Sequence, residues 1–125
     1  MAIIGLGTDI VEIARFQEPL EKSRRLAQRV LSDEELLEFD QHNFPARFLA
    51  KRFAAKEAMV KAIGTGIGNG VSFRQMEVRH HASGAPYLHI SGYLQELCVS
   101  RGVISTHLSI ADEQHYAVAT VILES

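Results

Sequence analysis

The sequence predicts an α+β fold in which an antiparallel sheet packs around one long central helix. Three observations predict it. The closing segments "VISTHLSIA" and "YAVATVILE" are strand-like runs joined by the short turn "DEQH", which is a hairpin pattern. A second hairpin is written in "VSFRQMEVRHH" and "APYLHIS" around "SGA". Between the N-terminal strand and these hairpins stands one dominant helical segment, "NFPARFLAKRFAAKEAMVKAIG". A chain of 125 residues fits a single domain, 1–125, with a modest core.

Each element has a local cause. Ile3 to Ile13 is rich in β-branched residues and reads as a strand apolar on both faces, hence buried. "ARFQEPLEKSRRLAQRVLSDEELLEFDQ" reads as short helices, with Pro19 in a first turn or breaking one. Ser32 and Glu35 match a capping box, so a new helix starts there. In the long helix Pro45 lies near the first turn and Gly64 supplies the stop. "IGTGIGNGV" is a loop by composition, and "GYLQELCVSRG" is an amphipathic helix ended by Gly102.

Composition excludes several function classes. The formal net charge of −2 argues against bulk electrostatic binding to nucleic acid. Ten of the 13 lysines and arginines nevertheless lie between Arg15 and Lys61, so a local basic patch can form. The single cysteine, Cys98, cannot build a disulfide framework or a cysteine-rich metal site. The N-terminus has neither the basic start nor the long apolar run of a secretory signal, and no stretch is long enough to span a bilayer. A cytoplasmic location is expected, with neither nucleic acid nor membrane as partner.

The chemistry is expected where the patterns break. Asp9 shares a strand face with Gly5, Gly7, Val11 and Ile13, where a carboxylate must be exposed, paired or bound to a cation. On the long helix Arg52 and Lys56 fall within the arc of Phe48, Leu49, Phe53, Met59, Val60 and Ile63, with Glu57 on its flank. Lys61 follows Glu57 at the spacing of an ordinary helix pair. These charges need partners, either an internal acid or a bound anion with its metal. His107 alternates onto the face of Ser105 and Ser109, and no pair of histidines has zinc spacing. The tail "GTGIGNG" is not a Walker loop, and it follows a helix C-terminus, whose partial charge disfavours phosphate. Asp9 and Glu57 together suit Mg²⁺, which is commonly held by two carboxylates, water and phosphate oxygens.

Two motifs stand in order: Gly7-Thr8-Asp9 on the first strand, and Phe53-Ala54-Ala55-Lys56-Glu57-Ala58-Met59-Val60-Lys61 on the helix. Over nearly its whole length the chain resembles the small, single-domain class of 4′-phosphopantetheinyl transferases, the holo-acyl-carrier-protein synthases. The resemblance implies transfer of the phosphopantetheine arm of coenzyme A to a serine of apo-acyl carrier protein, with release of adenosine 3′,5′-bisphosphate, as a step of fatty acid biosynthesis. It implies that Asp9 and Glu57 hold Mg²⁺, and that the base is Glu57 through a water or a metal-bound water. It assigns Lys61 to the transferred phosphate, and Arg52 and His107 to the phosphates of coenzyme A. Gly64, Thr65, Gly66 and Ser109 are assigned to the nucleotide pocket. It implies a homotrimer with sites between subunits, so that His107 and Ser109 face Asp9 and Glu57 across an interface. Arg15, Arg25 and Arg29 would dock the acidic carrier protein, with Phe16 as an apolar anchor and Arg24 as a weaker candidate. Where many relatives carry histidine or threonine the chain reads Ile110-Ala111-Asp112, and Asp112 receives no role.

Overall fold

A computed structural model describes residues 1–125. Strand β1 (Ile3–Glu12) leads through a 3₁₀ turn into three short helices, α1 (Gln17–Lys22), α2 (Arg25–Val30) and α3 (Asp33–Gln41). The long helix α4 (Pro45–Ile63) follows, then the hairpin β2 (Met76–His80) and β3 (Pro86–Ile90), helix α5 (Gly92–Ser100), and the hairpin β4 (Ser105–Asp112) and β5 (Tyr116–Glu124). All strand pairs are antiparallel. They form two sheets rather than one, of order β1-β5-β4 and β2-β3.

The local signals act as written. Ser32 Oγ accepts from the Glu35 N–H at 3.2 Å while Glu35 Oε1 accepts from the Ser32 N–H at 3.0 Å, so α3 starts in a full capping box. Pro45 occupies the first turn of α4, and Gly64, at φ 86°, ends it in the left-handed conformation.

Two expectations need correction. The helix α4 is not amphipathic about one arc. It runs through the middle of the molecule, with Phe48, Leu49, Ala54, Ala55, Ala58, Met59, Val60 and Ile63 all buried. Its middle and C-terminal half leave a stripe at i, i+4 and i+8: Phe53 and Glu57 half-buried, Lys61 exposed. Strand β1 is also not buried on both faces. Its helix-side residues Gly7 and Val11 are covered, but Leu6 and Ile10 on the other face are 65% and 64% exposed. The three-stranded sheet is covered by α4 on one side only.

Glycine lets α4 come this close. A Cβ on Gly7 would lie 2.1 Å from the Ala58 carbonyl oxygen, and one on Gly5 2.4 Å from that of Ala62. Both obstacles are helix backbone, so no side chain can swing aside. Further along the same sheet face, Ala119 and Ala117 of β5, across from Asp9 and Val11, are likewise small and buried. Gly7→Ala is therefore expected to push α4 off β1 and cost about 1–3 kcal/mol, read as a lower urea midpoint with an unchanged slope.

Candidate active site

Strand pairing and helix packing bring Asp9 and Glu57 together. Asp9 lies on the helix side of β1, in register with Ala119 of β5, and its side chain is 14% exposed. Lys61 Nζ donates to Asp9 Oδ1 at 2.9 Å and to the Thr8 carbonyl at 3.1 Å. Lys61 thus pairs with Asp9, not with Glu57 as helix spacing alone suggests. The second oxygen, Asp9 Oδ2, is buried and has no partner in the chain. An orphaned carboxylate oxygen is costly, which marks it as a place for a ligand.

Glu57 forms the other side. Burial pushes its carboxyl above the usual range, and the charge of Asp9 adds to this. The cations Lys61 and Arg29 pull in the opposite direction without cancelling it. No hydrogen bond holds its ionised form. A carboxyl whose folded pKa is raised destabilises the fold above that pKa, and the penalty vanishes as pH falls through it. In chelator, Glu57→Gln is expected to raise the thermal midpoint near pH 8, with the gain fading as the solution is acidified. A midpoint that does not move at either pH would contradict the shift.

The other predicted residues divide. Arg29 joins the pair, since its charge reaches Glu57 while its guanidinium stands 5.6 Å over the Phe73 ring. Arg52 is turned inward, and its Nε, like Asp9 Oδ2, is buried without a hydrogen-bond partner. It is 6% exposed, stacks 4.0 Å over Phe48 and turns toward Glu35 and Glu38 at 3.8 and 3.4 Å. Its counter-charge is internal, because α3 brings two acids against it. Phe16 is corrected. It is 3% exposed and packs edge-on against Phe53 at 5.4 Å, so it belongs to the core and offers no anchor. Arg15 and Arg25 are exposed, whereas Arg24 is held by Asp40.

The turn at Gly64, Thr65 and Gly66 is open, but its amides are committed. The N–H groups of all three point to the Val60 carbonyl, at 3.0, 3.1 and 3.3 Å. What it can offer a ligand is the half-buried Thr65 side chain, whose hydroxyl donates to the Gly66 carbonyl.

His107 and Ser109 do not meet Asp9 within the chain. Through β5 they align with Ile122 and Thr120, which align in turn with Leu6 and Thr8. They therefore project from the uncovered sheet face, opposite the face of Asp9. His107 Nε2 lies 2.8 Å from Glu124 Oε1. Asp112, given no role from sequence, has a structural one. It takes Arg47 at 2.8 Å and Lys51 at 3.4 Å, tying the β4–β5 hairpin to α4. Burial alone would raise its carboxyl, but these two cations hold it below the usual range.

Sequence reasoning missed Glu35 as more than a cap. Its carboxylate is 1% exposed, with Oε1 accepting from Lys56 Nζ at 2.6 Å and Oε2 from the Val78 N–H at 2.8 Å. The signal was present as two basic residues on α4 without a counter-charge of their own.

Known proteins show the family. The chain is 61% identical over 125 residues to a holo-(acyl-carrier-protein) synthase of Pseudoalteromonas atlantica, covering 100% of this chain and 99% of the relative. The crystal structure of holo-(acyl-carrier-protein) synthase from Neisseria meningitidis superposes with a TM-score of 0.93 at 42% identity, covering 99% of this chain and 100% of that one. The corresponding Bacillus anthracis enzyme, solved in complex with CoA (3′,5′-ADP), superposes with a TM-score of 0.81 at 39% identity, covering 98% and 97%. The family model for the 4′-phosphopantetheinyl transferase superfamily matches residues 5–121, and that span contains the paired Asp9 and Glu57, so the chain belongs to this superfamily.

Proposed function

We propose that this protein is a holo-acyl-carrier-protein synthase. It moves 4′-phosphopantetheine from coenzyme A to a serine of apo-acyl carrier protein and releases adenosine 3′,5′-bisphosphate. The observation that carries the reading is the Asp9–Glu57 pair with an unpartnered, buried Asp9 Oδ2, in a chain 61% identical to a holo-(acyl-carrier-protein) synthase. The carrier protein being that of fatty acid synthesis, and the reaction running in the cytoplasm, are parts of the same proposal.

The donor set fits Mg²⁺. Asp9 Oδ2 and the Glu57 carboxylate are hard oxygen ligands without hydrogen-bond partners. There is no cluster of three ligating side chains, so water and substrate oxygens would complete the shell. Bound there, Mg²⁺ would neutralise charge building on the pyrophosphate as the bond to phosphorus breaks.

The chain's own residues do the rest. Lys61 fixes Asp9 through Oδ1, and its exposed ammonium can turn to a phosphate oxygen. Glu57 through one water, or a water on the bound cation, would take the proton of the incoming serine. The serine oxygen bonds to the phosphorus next to the pantetheine arm, and the adenosine 3′,5′-bisphosphate leaves with the electrons of the broken P–O bond. Exposed Arg15, Arg25 and Arg29 form no ion pair of their own and suit an acidic acceptor.

A homotrimer completes the site. The uncovered sheet face presents Leu6 and Ile10 beside His107 and Ser109, and a second copy packed there would bury the first pair. It would also carry His107 and Ser109 toward a neighbour's Asp9. Leu6→Glu is expected to reduce the light-scattering mass from three chains to one and to abolish turnover.

The decisive assay is the intact mass of apo-acyl carrier protein incubated with coenzyme A, Mg²⁺ and this protein. A gain of one phosphopantetheine that disappears with chelator is the expected result. No gain with a competent acceptor would refute the reading.

A further inference from the structure

Lys56 is the least accessible charge in the molecule, at 0% exposure, and the mechanism does not use it. It sits one residue before Glu57. Its ammonium donates to Glu35 Oε1 and to the Val30 carbonyl, both at 2.6 Å. Burial pushes the ammonium toward neutrality, and the Glu35 carboxylate pulls it back.

The two side chains join four elements at one point. Glu35 Oε1 also closes the capping box of α3, and Oε2 accepts the Val78 N–H of β2. Val30 is the last residue of α2 and follows Arg29, whose charge reaches Glu57. The Lys56–Val30 bond therefore fixes the end of α2 from which Arg29 extends over Phe73. On α4 itself, anchoring Lys56 fixes the rotation of the helix about its axis. That rotation decides whether Glu57 faces Asp9. An apolar residue at 56 would fill the space but would not choose among rotations in this way, because packing is non-directional and a two-point charged hydrogen bond is not.

We propose that the Glu35–Lys56 pair is a positioning device for the transfer reaction, holding Glu57 and Arg29 in register with Asp9. This rests on the transferase reading above. It acts on the geometry of the reacting groups, and so on kcat, more than on the affinity for coenzyme A.

The test uses the full chain with coenzyme A and apo-acyl carrier protein. Lys56→Met leaves the Glu35 carboxylate bonded to the Ser32 and Val78 N–H groups, so this variant is expected to fold. At a temperature where circular dichroism finds it folded, kcat should fall at least about ten-fold while KM for coenzyme A stays within about three-fold. Lys56→Arg, which keeps a charged donor, should recover part of the loss. A merely structural role would lower the melting temperature and leave kcat per folded molecule unchanged; that outcome overturns the proposal. If Lys56→Met does not fold, the double variant Glu35→Gln/Lys56→Met, which removes both charges and keeps one of the two acceptor oxygens at residue 35, is held to the same criterion. An inactive wild type would instead remove the transferase reading and this inference with it, whereas an active wild type with a fully active variant removes this inference alone.

Discussion

Asp9→Asn is expected to lower the rate of phosphopantetheine transfer by about 10²–10³-fold, the scale seen when one electrostatic stabiliser is removed from a reacting centre. The substitution keeps the shape of the side chain. Its amide oxygen can still accept from Lys61, so the 2.9 Å contact survives in form. What disappears is the charge on the buried oxygen that no group in the chain satisfies. A cation would lose one of two carboxylates, and Lys61 would face a neutral partner. Stability should hardly fall, because the native carboxylate is half unsatisfied and an amide is cheaper to bury than a charge. The expected signature is thus an inactive but well-folded protein whose residual rate needs more Mg²⁺. Initial rates by intact mass, with melting curves on the same samples, read both quantities. Full activity in Asp9→Asn would remove the metal assignment; a collapsed melting curve would make Asp9 a structural residue instead.

Much of this site was legible in the sequence, for physical reasons that differ from residue to residue. Asp9 was visible because a strand alternates, and a carboxylate among Gly5, Gly7, Val11 and Ile13 breaks the pattern. Glu57 was visible because the resemblance paired it with Asp9. Its raised proton affinity was not legible, because that depends on burial and on Asp9 being a neighbour in space. Arg52 is the opposite case. Periodicity placed a cation within an apolar arc, and a bound anion was one of two partners allowed for it. The fold supplied the other, the acids Glu35 and Glu38 on a helix 14 to 17 residues upstream. Phe16 failed as an anchor, since an aromatic beside an arginine reads alike whether it faces solvent or stacks on Phe53. The uncovered face of β1 was misread because β-branched runs do not distinguish a strand buried within one chain from one left open.

Glu35→Ala is the substitution expected to cost the most stability, about 3–5 kcal/mol, the range for removing one partner of a buried ion pair. The neighbours explain the size. The Lys56 ammonium would be left inside the protein with the Val30 carbonyl alone. The Val78 and Ser32 N–H groups would lose their acceptor, and Arg52 one of its two acids. Lys56→Met should cost less, because the carboxylate it leaves keeps two backbone donors and a nearby guanidinium. Volume removed would rank the two variants in the same order, so it is the combination of both that separates a charge network from simple filling of space. Against a total stability of roughly 5–15 kcal/mol for a domain of this kind, Glu35→Ala removes a large share, and takes a fold at the lower end of that range to the edge of unfolding at room temperature. Urea titration measures both variants, and the combination Glu35→Ala/Lys56→Met supplies the remaining corner of the cycle. The double variant should be more stable than Glu35→Ala alone, since it no longer buries an uncompensated ammonium. If adding Lys56→Met to Glu35→Ala lowers stability further, the burial of an unpaired charge is not what destabilises the single variant, and loss of packing around residue 35 must be.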